Sequence, residues 1–124
     1  MAINILIVDD SSVMRAMIIK TIRMSGIPVG EIHQGANGKE GLELLNNNWI
    51  DLLVVDINMP VMNGEEMIDR VRQTEDVKDI PILVISTEGS RTRIERLKSK
   101  VDGFVQKPFS PETIRDTVQK MMGV

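Results

Sequence analysis

Three aspartates, a serine and a lysine could do chemistry together if the chain gathered them: the adjacent Asp9 and Asp10, then Asp56, Ser86 and Lys107. A carboxylate can attack a phosphoryl group and carry it as an acyl phosphate. That transfer needs in-line approach and positive charge against the equatorial oxygens. Lysine supplies such charge as a compact point, and a serine hydroxyl can donate a hydrogen bond to the same oxygens. Crowded carboxylates repel, by roughly 4 kcal/mol for two charges ~4 Å apart at an effective dielectric of 20. A divalent cation removes that cost. Magnesium suits the donors, since it takes one or two carboxylates, water and a phosphate oxygen. Each residue alone has a plainer explanation: Asp9-Asp10 as a helix cap, Asp56 as a loop acid, Ser86 as a satisfied hydroxyl, Lys107 as a solvated charge. The chemistry depends on whether the fold brings them to one place.

The elements that would do so alternate along the chain. Strand-like runs occupy Ile3–Val8, a weaker stretch near Glu31–Gln34, Leu52–Asp56, Ile82–Ser86 and Gly103–Gln106. ILIV and LLVV are continuously apolar, as central strands covered on both faces are. Five helices fit between and after these runs. Ser11 or Ser12 can cap the first; Ser110 followed by Pro111 opens the last, and Gly123 stops it. Its apolar residues Ile114, Val118, Met121 and Met122 fall on one helical face. Five βα pairs with short connections predict an open parallel sheet with helices on both sides. In such sheets the chemistry sits beyond the carboxyl ends of the strands. All five residues fall at those ends or just beyond them.

The totals restrict the function further. A chain of 124 residues with 42% hydrophobic and 27% charged residues is expected to form one globular domain. It has no cysteine, which removes disulfides, thiol catalysis and cysteine-type zinc sites. A net charge of -3 argues against general nucleic-acid binding. No apolar run approaches the ~20 residues of a membrane span, and no signal peptide is evident. Both fit a cytoplasmic protein without membrane insertion.

Four fragments, ILIVDDSSVMR, VVDINMPVMNG, PILVISTEG and GFVQKPFSP, in that order and at matching separations, resemble the receiver domain of two-component response regulators in its stand-alone chemotaxis form (CheY-like). The resemblance covers essentially the whole chain. It implies a flavodoxin-like, doubly wound (βα)5 sheet with strand order 2-1-3-4-5, as one receiver domain over residues 1–124 with no output domain. It also implies a role for each residue. Asp56 is the phosphoacceptor. Asp10 touches magnesium (or manganese) directly, Asp9 does so largely through water, and the Asn58 backbone carbonyl completes the protein ligands. Lys107 and Ser86 stabilise the phosphoryl group. Ser86 is also the switching hydroxyl, coupled to Phe104, whose ring position differs between two states. Asn58, Thr87 and Glu88 stand where the family tunes the lifetime of the acyl phosphate. Thr87 departs from the small residue usual beside the switching hydroxyl, and its β-branched side chain would narrow access. The implied phosphodonor is a histidine kinase or histidine phosphotransfer protein. Such a protein catalyses only its own phosphorylation and dephosphorylation.

The output would pass through the face of the fourth helix, fifth strand and fifth helix to a downstream protein. Arg91, Arg93, Arg96, Lys98 and Lys100 cluster there, opposed locally only by Glu95. A charge run is ordinarily a solvated face; on this face it suggests a partner with acidic residues, such as a short amphipathic helix. Chemotaxis-like control is the leading expectation, with a phosphorelay intermediate or an unphosphorylated adaptor as alternatives. An aspartate-nucleophile phosphatase would want a second acid where Asn58 stands. A flavin site would want a phosphate-cradling loop where the acidic pair stands. Of the remaining residues, His33 is expected at the surface of an edge strand, Trp49 packed where the second helix ends, and the methionines as core filler on helical faces. Gly64 is expected to open the third helix.

Overall fold

The continuously apolar runs become strands with both faces buried, which fixes everything else. A computed structural model describes residues 2–123. The strands are β1 (Ile3–Val8), β2 (Val29–Gly35), β3 (Leu52–Val55), β4 (Ile82–Ser86) and β5 (Gly103–Gln106). The helices are α1 (Ser12–Met24), α2 (Gly38–Asn47), α3 (Gly64–Arg72), α4 (Arg91–Lys98) and α5 (Pro111–Met122). The sheet is parallel in the order β2-β1-β3-β4-β5, as the resemblance implies. β3 ends one residue earlier than the apolar run suggests, so Asp56 stands in the loop.

Side-chain alternation divides the core into two layers. Leu6, Val8, Leu53, Val55, Ile82 and Val84 point toward α2, α3 and α4, meeting Leu45, Met67, Ile68, Val71 and Leu97. Their neighbours Ile5, Ile7, Leu52, Val54, Leu83 and Ile85 point the other way, to Ile18 and Ile22 of α1 and Ile114 and Val118 of α5. Each such burial stabilises the fold by roughly 1.5–3 kcal/mol before conformational entropy is counted. Every helix starts on a serine or asparagine whose side chain accepts a backbone N–H three residues on: Ser11, Asn37, Asn63, Ser90 and Ser110. A cap of this kind is worth about 1 kcal/mol. Gly123 closes α5 in the left-handed conformation.

One packing expectation is corrected. Trp49 does not pack: it is 80% exposed. Asn48, the extended cap of α2, turns the chain outward, and the indole N–H is held by Asp51 at 3.1 Å. The methionines largely fill the core as expected: Met59 and Met67 are buried in one layer with Met62 packed against it, and Met14, Met121 and Met122 pack against the other. Met17 and Met24 are the exceptions, exposed on α1, which turns only Ile18 and Ile22 fully inward, and Met1 lies outside the described residues. His33 lies on the edge strand β2, half-buried, against Glu31.

Candidate functional site

The backbone ladder continues past the strand ends and thereby brings the polar residues level. The Asp9 amide donates to the Gly35 carbonyl at 3.1 Å, that of Asp56 to Val8 at 2.9 Å, and that of Lys107 to Ser86 at 2.8 Å. These bonds place the residues following β1, β3 and β5 at one edge. There Asp9, Asp10 and Asp56 each offer a carboxylate oxygen, all within 4.8 Å of one another. Asp9 is buried, Asp56 is 9% exposed and Asp10 faces solvent.

The Lys107 ammonium reaches into this group, 3.4 Å from Asp9 Oδ2 and 3.7 Å from Asp56 Oδ1. The Lys107–Pro108 peptide is cis. Asp9 Oδ1 accepts the Ser11 N–H at 2.9 Å, and the Asp9 carbonyl accepts from the Arg15 guanidinium at 2.6 Å. Burial pushes the Asp56 carboxyl above its ordinary value; Lys107 pulls it back, Asp9 pushes it up, the Ile57 N–H pulls it down and Asp10 pushes it up again. One lysine does not offset three carboxylates. The donors are all oxygen, hard and anionic, which fits magnesium or manganese.

Ser86 is fully buried at the end of β4, and its hydroxyl accepts the Glu88 N–H at 3.1 Å. Phe104 is half-buried on β5, in register with Val84. Side chains alternate along a strand, so Ser86, Val84 and Phe104 share one face of the sheet. Asn58 and Thr87 are exposed beside the carboxylates and Ser86 respectively in the chain. Glu88 is engaged: its carboxylate accepts from the Ser90 N–H at 2.9 Å and from Arg93 at 3.0 Å.

The loop beyond Asp56 holds features that residue types alone do not disclose. Gly64 sits so close to the preceding strand end that an added Cβ would collide with the Asp56 carbonyl and stand 2.8 Å from Ile57 Cα. Its amide donates to the Ile57 carbonyl at 2.8 Å, closing the loop. Val61 adopts φ +66°, a strained conformation for a β-branched residue. The NG pair at Asn63-Gly64 was the available signal for the tight approach; nothing in the sequence marks Val61.

The basic run is less free than its sequence suggests. Arg93 pairs with Glu88, Arg96 with Glu65, and Lys100 with both Glu65 and Asp69. Lys100 also lies beyond the end of α4, not on it. Arg91 and Lys98 remain exposed, with no ion pair among the described residues.

The family model described as the response regulator receiver domain matches residues 5–119. A chemotaxis protein CheY homolog of Campylobacter jejuni is 34% identical over 122 residues, 97% of this chain and 92% of that protein. Chemotaxis protein CheY1 of Helicobacter pylori is 35% identical over 122 residues, 97% of each. Among solved structures, Vibrio cholerae chemotaxis protein CheY4 superposes with a TM-score of 0.86 at 34% identity, over 98% of this chain and all of that one.

Proposed function

Because this chain belongs to the response regulator receiver family, we propose that Asp56 accepts a phosphoryl group from a phosphohistidine donor and that the phosphorylated protein signals through a changed surface. The observation that carries this reading is the placement of the Lys107 ammonium between Asp9 and Asp56 within a three-carboxylate cluster at the sheet edge. An Asp56 carboxylate oxygen bonds to phosphorus as the bond to the donor imidazole nitrogen breaks, and the electron pair leaves with the imidazole. Lys107 offsets the charge on the equatorial oxygens. The Ser86 hydroxyl, whose oxygen already accepts from Glu88, keeps its proton to donate to one of them. Magnesium or manganese, held by Asp9, Asp10, Asp56 and the Asn58 backbone carbonyl, supplies the remaining positive charge when bound.

Ser86 drawn toward the phosphoryl group vacates space on the face it shares with Phe104, and the ring turns inward. Asn58, Thr87 and Glu88 set how fast water removes the phosphoryl group, so the protein catalyses only its own modification and its reversal. The donor is a histidine kinase or a histidine phosphotransfer protein. A downstream protein reads the α4–β5–α5 face, and the resemblance to chemotaxis proteins favours control of motility over a phosphorelay or adaptor role. Incubation with magnesium and acetyl phosphate tests the reading by mass spectrometry: a phosphate-sized gain, absent in Asp56→Ala, is the expected result. Turnover of acetyl phosphate without an adduct would instead indicate a phosphatase. Neither adduct nor turnover, even with a phosphohistidine donor, would indicate an adaptor.

A further inference from the structure

At the end of the sheet remote from Asp56, the turn between α2 and β3 and the turn between α3 and β4 enclose a groove of about 320 Å³. Its floor is apolar, made by Leu45, Ile50, Val77, Ile80 and Pro81, and Trp49 forms part of its wall. A tryptophan left 80% exposed contributes little to folding, yet this one is not loose. Asp51 Oδ1 accepts its indole N–H at 3.1 Å, while Asp51 Oδ2 accepts the Asn4 N–H at 2.9 Å. The Asp51 amide also donates to the Asn4 carbonyl at 2.8 Å, so the residue is anchored on β1. The indole is therefore held in place before anything binds it, which lowers the ordering cost of an encounter.

The rim has one sign. Asp51, Glu75, Asp76 and Asp79 line the groove, and Lys78 is occupied by Glu75 at 3.3 Å. Asp76 and Asp79 have no ion pair among the described residues. Such a rim repels phosphates, anionic headgroups and acidic peptides. It favours a cation, and the exposed indole favours one that can stack. Guanidinium does both: its plane lies on an aromatic face, and its fork matches carboxylates better than an ammonium does. The apolar floor then has room for an aliphatic neighbour. We propose that this groove docks a segment of a partner protein presenting an arginine beside an apolar side chain. A second copy of this chain suits it less well, because its exposed arginines without an ion pair among the described residues, Arg23 on α1 and Arg91 on α4, lie outside the groove, and a contact between unlike surfaces closes only at special angles. The proposal is independent of phosphorylation at Asp56.

Trp49 is the only tryptophan in the chain, so its fluorescence reports on the groove directly. Blocked peptides carrying an Arg-Leu, Lys-Leu or Glu-Leu pair in a Ser/Gly background are titrated into the full-length protein. The expected result is a saturable change with the arginine peptide, a weaker response to lysine and none to glutamate. Asp76→Asn combined with Asp79→Asn should weaken arginine-peptide binding about tenfold and leave adduct formation at Asp56 unchanged. In Trp49→Ala, binding followed by the anisotropy of a labelled peptide should be lost while thermal unfolding stays near wild type. Four results would overturn the proposal: no saturable response to arginine, an equal response to glutamate, undiminished affinity in the double aspartate variant, or a signal that follows protein concentration without peptide. The last would identify a second copy as the occupant.

Discussion

Glu65 on α3 and Arg96 on α4 meet in a two-pronged ion pair, with Oε2 to Nε and Oε1 to Nη2 both at 2.8 Å. Lys100 adds a third contact to Glu65 at 3.1 Å and reaches Asp69 at 2.9 Å. A group thirty-one positions away in sequence thus ties α4 to its neighbour. Hydrogen bonding from Arg96 lowers the Glu65 carboxyl to about 2, against the opposing effect of burial.

That displacement has a definite sign. A carboxyl lowered in the folded state stabilises the protein fully above its unfolded value near 4.5, and the contribution fades as pH falls toward about 2. Glu65→Gln should therefore be less stable than wild type at neutral pH. The gap should narrow through that window and vanish at its lower end. Urea unfolding at a series of pH values measures it, and a gap independent of pH would rule out the linkage.

Gly64→Ala should destabilise by about 1–3 kcal/mol, because overpacking at a rigid backbone contact has few ways to relax. The added methyl would meet the Asp56 carbonyl and Ile57 Cα, both main chain. The same displacement should slow adduct formation at Asp56 even where the variant is folded. Denaturant unfolding and acetyl phosphate kinetics separate the two effects; wild-type values in both would show that the loop gives way freely.

Asp56→Asn should melt higher than wild type without metal, by of order 1 kcal/mol, since it removes a buried charge from beside Asp9 and Asp10. The Asp56 carboxyl is raised mainly by burial, so the folded state holds that proton more tightly and wild-type stability declines as pH rises through its ionisation. The variant should lack that decline and gain less stability from added magnesium. Calorimetry in chelator and in magnesium tests both, and a variant less stable than wild type in chelator would contradict the crowding argument.

The strands and the site were legible for the same reason. Both-face burial leaves ILIV and LLVV with no polar interruption, and a charged residue directly after β1, β3 and β5 announces the loop, as Asp9, Asp56 and Lys107 do. Local rules also found Ser110, Pro111 and Gly123 around α5. What stayed hidden depends on contacts distant in sequence or on backbone conformation. Glu65 and Asp69 neutralise basic residues roughly thirty positions on. Trp49 looks like core material, but the extended cap at Asn48 turns it outward. Residue counting cannot see either.

Thr87→Ala should be phosphorylated severalfold faster by acetyl phosphate. Thr87 is exposed directly after the buried Ser86, where a β-branched side chain can restrict approach to the carboxylates. Loss of the adduct by hydrolysis should quicken as well, since water uses the same opening. Tryptophan fluorescence is too remote for this assay, so adduct mass against time is the measure. Equal or slower rates would assign Thr87 no gating role.

The five basic residues near α4 should not behave alike in partner binding. Arg91 and Lys98 are exposed and available, whereas Arg96 is bound on two nitrogens by Glu65 and Arg93 is held by Glu88. An acidic segment approaching Arg96 must compete with a preorganised fork, and one approaching Arg91 meets only water. Arg91→Glu with Lys98→Glu should therefore weaken binding of an acidic amphipathic peptide to the phosphorylated protein, flatten its salt dependence and leave the unfolding midpoint unchanged. Arg96→Glu should do the reverse, lowering the unfolding midpoint by placing a carboxylate against Glu65. Titrations at two ionic strengths, set beside thermal melts of all three proteins, decide the matter. If Arg96→Glu alone abolished binding without loss of stability, Arg96 would leave Glu65 on activation, and the ion pair that ties α4 to α3 would itself be part of the switch.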